Sequence, residues 1–202
     1  GGFIRDADGI EFQARYVTCD ALGRTYYGDD PNYVKLLSGD VATFPSLTGT
    51  NVTFRTEHIR RIGGFDEVFA YFYDETDVNK RMDDAGMRAQ VIPEAEIHHK
   101  YAPSHLRTEK KVATNMLPIA RSTAYFAIKH GAAAFGWQES VERLQTFYKN
   151  EFHWKLETLA SGNISRDEFT ALMNQTRAGL TEGIDLAIEA LDSSTKFETE
   201  QR

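Results

Sequence analysis

The chain has 202 residues, 41% hydrophobic and 26% charged, with a net charge of −7, which is the balance of an ordinary globular protein. Beyond the short pairs Arg60-Arg61 and Lys110-Lys111 there is no Lys/Arg block, so no nucleic-acid partner is expected, because neutralising phosphates takes a concentrated basic face. No apolar run approaches the ~18 residues of a membrane span, the first residues lack a secretory pattern, and Cys19 stands alone, so the expectation is a soluble protein without disulfides or a Cys-rich zinc site.

Residues 1–27 alternate β-prone runs (Phe3-Ile4, Phe12 to Val17, Thr25 to Tyr27) with turn signals, and predict two or three strands. Asp6-Ala-Asp8-Gly9 has the form of a metal-binding Asp-x-Asp, but its trailing Gly favours a β-turn. Residues 28–46 are turn-rich and predict a surface loop. Val52-Thr53-Phe54 predicts a short strand, and Thr56 is a candidate cap for a helical turn to Ile62 that ends at Gly63-Gly64. After an aromatic stretch, Asp77 to Gly86 predicts a helix with Val78, Met82 and Ala85 on one face. Met87 to Ile97 predicts a strand interrupted or edged by Pro93.

The rest of the chain is helical in pattern. Asn115 to Lys129 predicts one helix, with Pro118 near its start, and Gln138 to Leu159 predicts a second. Ser165-Arg-Asp-Glu168 is a capping box that starts a third helix toward Leu191. The polar tail SSTKFETEQR is expected to fray.

Three carboxylates, Asp74, Glu75 and Asp77, follow the aromatic run directly. Carboxylates at a helix start meet free backbone N–H groups and the positive end of the dipole, so one reading is an acidic helix N-terminus. The other is a general base or metal cluster, since aromatic neighbours raise a carboxyl pKa toward useful base strength. His98 and His99 end the predicted strand, where alternation sends only one of them to a given pocket. Packed imidazole and metal or phosphate contact are both open for that residue. Asn51-Val-Thr53 and Asn163-Ile-Ser165 match the glycosylation sequon and are chance matches in a cytoplasmic protein. Read from residues alone, the chain is an α/β domain with an acidic pocket candidate and a helical tail.

Several motifs in order go further: Thr48-Gly-Thr-Asn-Val-Thr-Phe-Arg55, Ile62-Gly-Gly-Phe-Asp-Glu67, Tyr71-Phe-Tyr-Asp-Glu-Thr-Asp-Val78, Arg81, Gly86 and Ala95-Glu-Ile-His-His99. Together they resemble the second half of the family 2 glycosyltransferases of bacterial type, enzymes of the GT-A fold that build polysaccharides. The resemblance implies a partial GT-A mixed sheet over residues 1–109, followed by an α-helical extension over 110–202. It implies an inverting, metal-dependent transferase (Mn²⁺ or Mg²⁺) that moves sugar from a nucleotide-sugar donor to a hydroxyl of a glycan or lipid-linked acceptor. The expected location is the cytoplasm or, peripherally, the inner membrane face. Glu75 falls at the family's catalytic base, next to Asp74, with the family's Glu-Asp order swapped. Gly49, Thr50 and Asn51 would line the floor beneath donor and acceptor, Asp77 and Arg81 would support substrate binding or pair with each other at i,i+4, and His99 would lie near the metal. The family's donor-binding half would precede residue 1, so the resemblance implies an acceptor-side part that is inactive without it. A non-catalytic binding or assembly module, self-associating through its helices, is the alternative, and a metal-dependent hydrolase built on Asp74, Glu75, Asp77 and His99 is a third.

Overall fold

The computed structural model describes residues 1–30, 43–100 and 112–200, with side chains of the last helix described through Ser193. Most of the expected 28–46 loop, the segment from Tyr101 to Lys111 and the end of the polar tail lie outside the described residues. The fold is mixed α/β and divides into two compact units, Gly1–Phe69 with Tyr73–Ala102, and Ala70–Phe72 with Pro103–Arg202.

The first unit holds two three-stranded sheets. Strands β1 (Gly2–Arg5), β2 (Phe12–Ala14) and β6 (Ile92–His98) form one, in the order β2-β1-β6, with β1 antiparallel to β2 and parallel to β6. The Asp6–Gly9 segment is a turn, as its Gly suggested: Gly9 has φ 72°, its N–H donates to Asp6 O at 3.1 Å, and the Asp6 carboxylate accepts from Ile10 N–H at 2.8 Å. Pro93 lies inside β6 and is tolerated because β6 is an edge strand, where a missing N–H costs no ladder bond.

Strands β3 (Tyr16–Asp20), β4 (Thr25–Gly28) and β5 (Thr43–Pro45) form the second sheet, antiparallel throughout, in the order β4-β3-β5. The β3–β4 turn is built around Asp20, a charged residue only 1% exposed. Its carboxylate accepts from the Leu22 and Arg24 N–H groups, both at 2.9 Å, from Arg24 Nε at 2.6 Å and from the Tyr26 hydroxyl at 3.1 Å. Burial of that charge is tolerated because its oxygens are met by donors and a guanidinium.

Two sequence expectations fail here. Phe12 to Val17 is not one strand but parts of β2 and β3, which belong to different sheets, so the region contains four strands. Val52–Phe54 is not a strand either: a single 3-10 turn, Gly49–Asn51, is followed by extended chain without a ladder partner. Helix α1 (Thr56–Arg61) comes next, capped by position at Arg55 rather than by the Thr56 side chain.

Helix α2 (Asp74–Asp84) starts three residues earlier than its apolar spacing suggested. It ends as expected at Gly86, whose φ of 73° lets Met87 N–H reach back to Met82 O at 2.9 Å.

The second unit is helical: α3 (Leu117–Lys129), α4 (Gly131–Phe135), α5 (Trp137–Ala160) and α6 (Arg166–Glu200). Pro118 sits in the first turn of α3, where its missing N–H breaks no helical bond. Helix α4 was not foreseen, and α6 runs on through the tail that composition suggested would fray. Ser165 and Glu168 cap α6 reciprocally, Ser165 N–H donating to Glu168 Oε2 at 2.7 Å and Glu168 N–H to Ser165 Oγ at 3.2 Å. Helices α3 and α6 cross closely through small residues. A Cβ on Gly179 would lie 2.4 Å from Leu117 O, and one on Gly183 would lie 2.3 Å from Arg121 O. Ala120, Ala124 and Ala187, all fully buried, are further small residues of these two helices.

Candidate functional site

The acidic cluster occupies the first turn of α2, so helix geometry sends its three carboxylates in different directions. The chain enters the helix through Phe72 and Tyr73, with φ of 74° and 68°, and these are the only non-glycine residues with positive φ among those described. Side chains resist this left-handed region, so a bulky aromatic there needs an anchor. For Tyr73 the anchor is visible: its buried hydroxyl donates to Gly23 O at 2.7 Å, and a side chain on Gly23 would collide with the ring. The turn residue Gly23 is therefore also the seat of the aromatic that launches α2.

Glu75 points toward the 3-10 turn. Its Oε1 accepts the Gly49 N–H at 3.2 Å, and a Cβ on Gly49 would come within 3.1 Å of its carboxyl carbon. Only glycine lets the backbone come this close without displacing the carboxyl. Burial pushes the Glu75 carboxyl above the usual carboxylate range, and a hydrogen bond and charge repulsion from Asp74 add to this, against the lowering effect of its own and the Gly49 backbone N–H groups. One helical turn on, Asn79 Nδ2 donates to Leu47 O at 2.8 Å, so Glu75 and Asn79 grip the 47–49 segment from one face of α2. Asn79 was not singled out from sequence, although its i+4 spacing from Glu75 was readable.

Asp77 faces inward and is fully buried. Arg81 Nη2 lies 2.6 Å from its Oδ2, and the same guanidinium donates to Ile62 O at 2.7 Å and Gly64 O at 2.8 Å. Asp77 thus holds Arg81, and Arg81 holds the backbone of the Ile62-Gly-Gly segment against α2. In this arrangement the two residues act on the protein's own backbone. Asn51 does likewise: its amide donates to Phe3 O at 3.1 Å and Ala95 O at 2.7 Å, bridging β1 and β6 where their register shifts. Gly2 permits that bridge, since a Cβ there would lie 1.8 Å from Ala95 O. Thr50 is exposed on the 3-10 turn.

His98 and His99 are separated as strand alternation requires. The His98 ring lies over Gly9. His99 Nδ1 is 3.1 Å from Gln13 Oε1, while Gln13 Nε2 donates to His99 O at 3.2 Å. Because the Gln13 nitrogen donates to the carbonyl, its oxygen is the atom that faces the ring.

Among the described residues, no group of three or more His, Cys, Asp or Glu side chains could hold a metal ion. Asp77 is committed to Arg81 and His99 Nδ1 to Gln13. These residues therefore do not assemble the donor set expected for a divalent cation.

What the site offers chemically is one carboxyl of raised proton affinity, backed by a backbone N–H and placed where a strained turn meets a helix start. Among the described residues no helix is long and apolar enough to cross a membrane. No family model matches the chain, and no curated protein or solved structure matches it either.

Proposed function

We propose that the chain is the acceptor-activating part of an inverting glycosyltransferase of the GT-A type, with Glu75 as its general base. The observation that carries this reading is the raised Glu75 carboxyl, held by Gly49 N–H just after the left-handed Phe72-Tyr73 step. A base works best when its pKa lies near the working pH, and burial moves Glu75 in that direction. In the reaction, Glu75 takes the proton of an acceptor hydroxyl as that oxygen bonds to the anomeric carbon of a nucleotide-sugar. The bond from that carbon to the diphosphate breaks on the opposite face, and the diphosphate leaves with the electron pair. Asp74 assists by keeping the Glu75 proton affinity high.

The swapped acidic order, Asp74-Glu75, is accommodated because Glu75 is the member of the pair that reaches Gly49. The expected donor is a nucleotide-sugar and the expected acceptor a glycan or lipid-linked hydroxyl. The test is Glu75→Gln in the complete enzyme. Turnover is expected to fall by about 10²- to 10⁴-fold, with nucleotide-sugar binding retained. Undiminished turnover rejects the assignment.

A second reading, a binding or assembly module, is favoured by the exposed Trp137, Val141, Trp154 and Leu156 of α5. It predicts self-association in light scattering after size exclusion, and a monomer at all concentrations removes it.

A further inference from the structure

A cleft of about 530 Å³ opens in the first unit, beyond the Glu75 contact along the same helix. Its walls are the extended chain after the 3-10 turn with the start of α1, the C-terminal half of α2, and residues 87–90 that lead into β6. Glu75 is not among its lining residues, whereas Asn79, one turn further along α2, is. The α2 lining residues farthest from Glu75, Met82 and Asp83, are about two turns away, on the order of 11 Å along the helix axis.

The charge of this cleft runs against that of the chain. The protein carries −7 overall, yet Arg55 and Arg88 both line the cleft, beside His58, whose Nε2 lies 3.9 Å from Glu57 Oε1. Among the described residues neither guanidinium has a hydrogen-bonding or ion-pairing side-chain partner. Asp83 is the acidic lining residue, one carboxylate against the two guanidiniums. Two guanidiniums against one carboxylate leave an excess of positive charge, and concave surfaces with an excess of one sign focus the field and concentrate counter-ions. Phe54, Met82 and Met87 supply apolar wall beside these cations. Guanidinium forks match the oxygens of phosphate, and thioethers and an aromatic ring accept a less polar body of variable shape.

We propose that this cleft is a second ligand site, which takes a phosphate-bearing small molecule with Arg55 and Arg88 on its phosphate. The site is independent of the Glu75 assignment, because it needs neither that carboxyl nor an acceptor.

Isothermal titration of the 202-residue chain with inorganic pyrophosphate tests the site. One saturable event is expected, weakened by about tenfold or more in an Arg55→Ala/Arg88→Ala double variant. Glu75→Gln is expected to bind pyrophosphate as the parent does, which separates failure of this site from failure of the base assignment. Both arginines are exposed, so the circular dichroism spectrum of the double variant should match the parent. If the double variant misfolds, the charge reversal Arg88→Glu alone must show the loss. Absence of saturable binding by the parent chain, or equal affinity in the variants, overturns the proposal.

Discussion

Helices α2 and α6 both begin with acidic residues, and their beginnings are built on opposite principles. At α6 the Ser165–Glu168 box satisfies the first N–H groups, and Glu168 stands in solvent with its carboxyl lowered by the backbone and hydroxyl of Ser165. At α2 no side chain caps the helix, the entry passes through two left-handed aromatics, and Glu75 is pushed the other way by burial and by Asp74. Residue type and first-turn placement are shared, so these alone do not decide what a carboxylate does. The balance of donors against desolvation decides it. The helices are also anchored differently. Polar ties hold α2, through Arg81, Asn79 and Tyr73, whereas α6 packs by shape, with Gly179 and Gly183 against the α3 backbone.

That contrast can be broken at either helix. Asp77→Ala strips the partner from Arg81 at a fully buried position and is expected to cost about 3 kcal/mol or more in chemical denaturation. A cost near zero would mean that the polar ties do not anchor α2. Gly183→Val drives side-chain atoms into the α3 backbone and is expected to cost about 2 kcal/mol, read as loss of helical signal at lower denaturant. Tolerance of valine there would remove close packing as the anchor of α6. Tyr73→Phe deletes the hydrogen bond to Gly23 O, and about 1 kcal/mol should be lost.

The smallest effect has a distinctive sign. The folded-state pKa of Glu75 lies above its ordinary value of 4.5, so ionising it costs stability as pH rises from that value through the folded pKa. Glu75→Gln keeps an acceptor for Gly49 N–H and removes that cost. The variant should melt slightly above the parent at pH 8, and the margin should close on acidification below 4.5. A variant less stable than the parent at pH 8 would contradict a raised Glu75 carboxyl.

Much of the helical structure could be read directly, because its signals are local. The capping box, Pro118 and the closing Gly86 each act within a few residues, and the Asp77–Arg81 pair follows from i,i+4 spacing. The β-rich half was less legible. Phe12 to Val17 is one β-prone run, and nothing local says that Gln13 and Val17 belong to different sheets. The true start of α2 is hidden because Phe72 and Tyr73 have no intrinsic preference for positive φ. The conformation of Tyr73 follows a distant partner, Gly23. At the candidate site, the order of motifs singled out Glu75. The roles of Asn51 as a strand bridge and Asn79 as a clamp depend on contacts 30 or more residues away, beyond any spacing rule.

The most direct measurement is a carbon-13 NMR titration of the side-chain carboxyls of Glu75 and Glu168 in the same sample. Glu75 is expected to titrate above the ordinary glutamate range and Glu168 below it. If Glu75 titrates at or below Glu168, its carboxyl is an ordinary helix-start anion and not a base prepared by the fold.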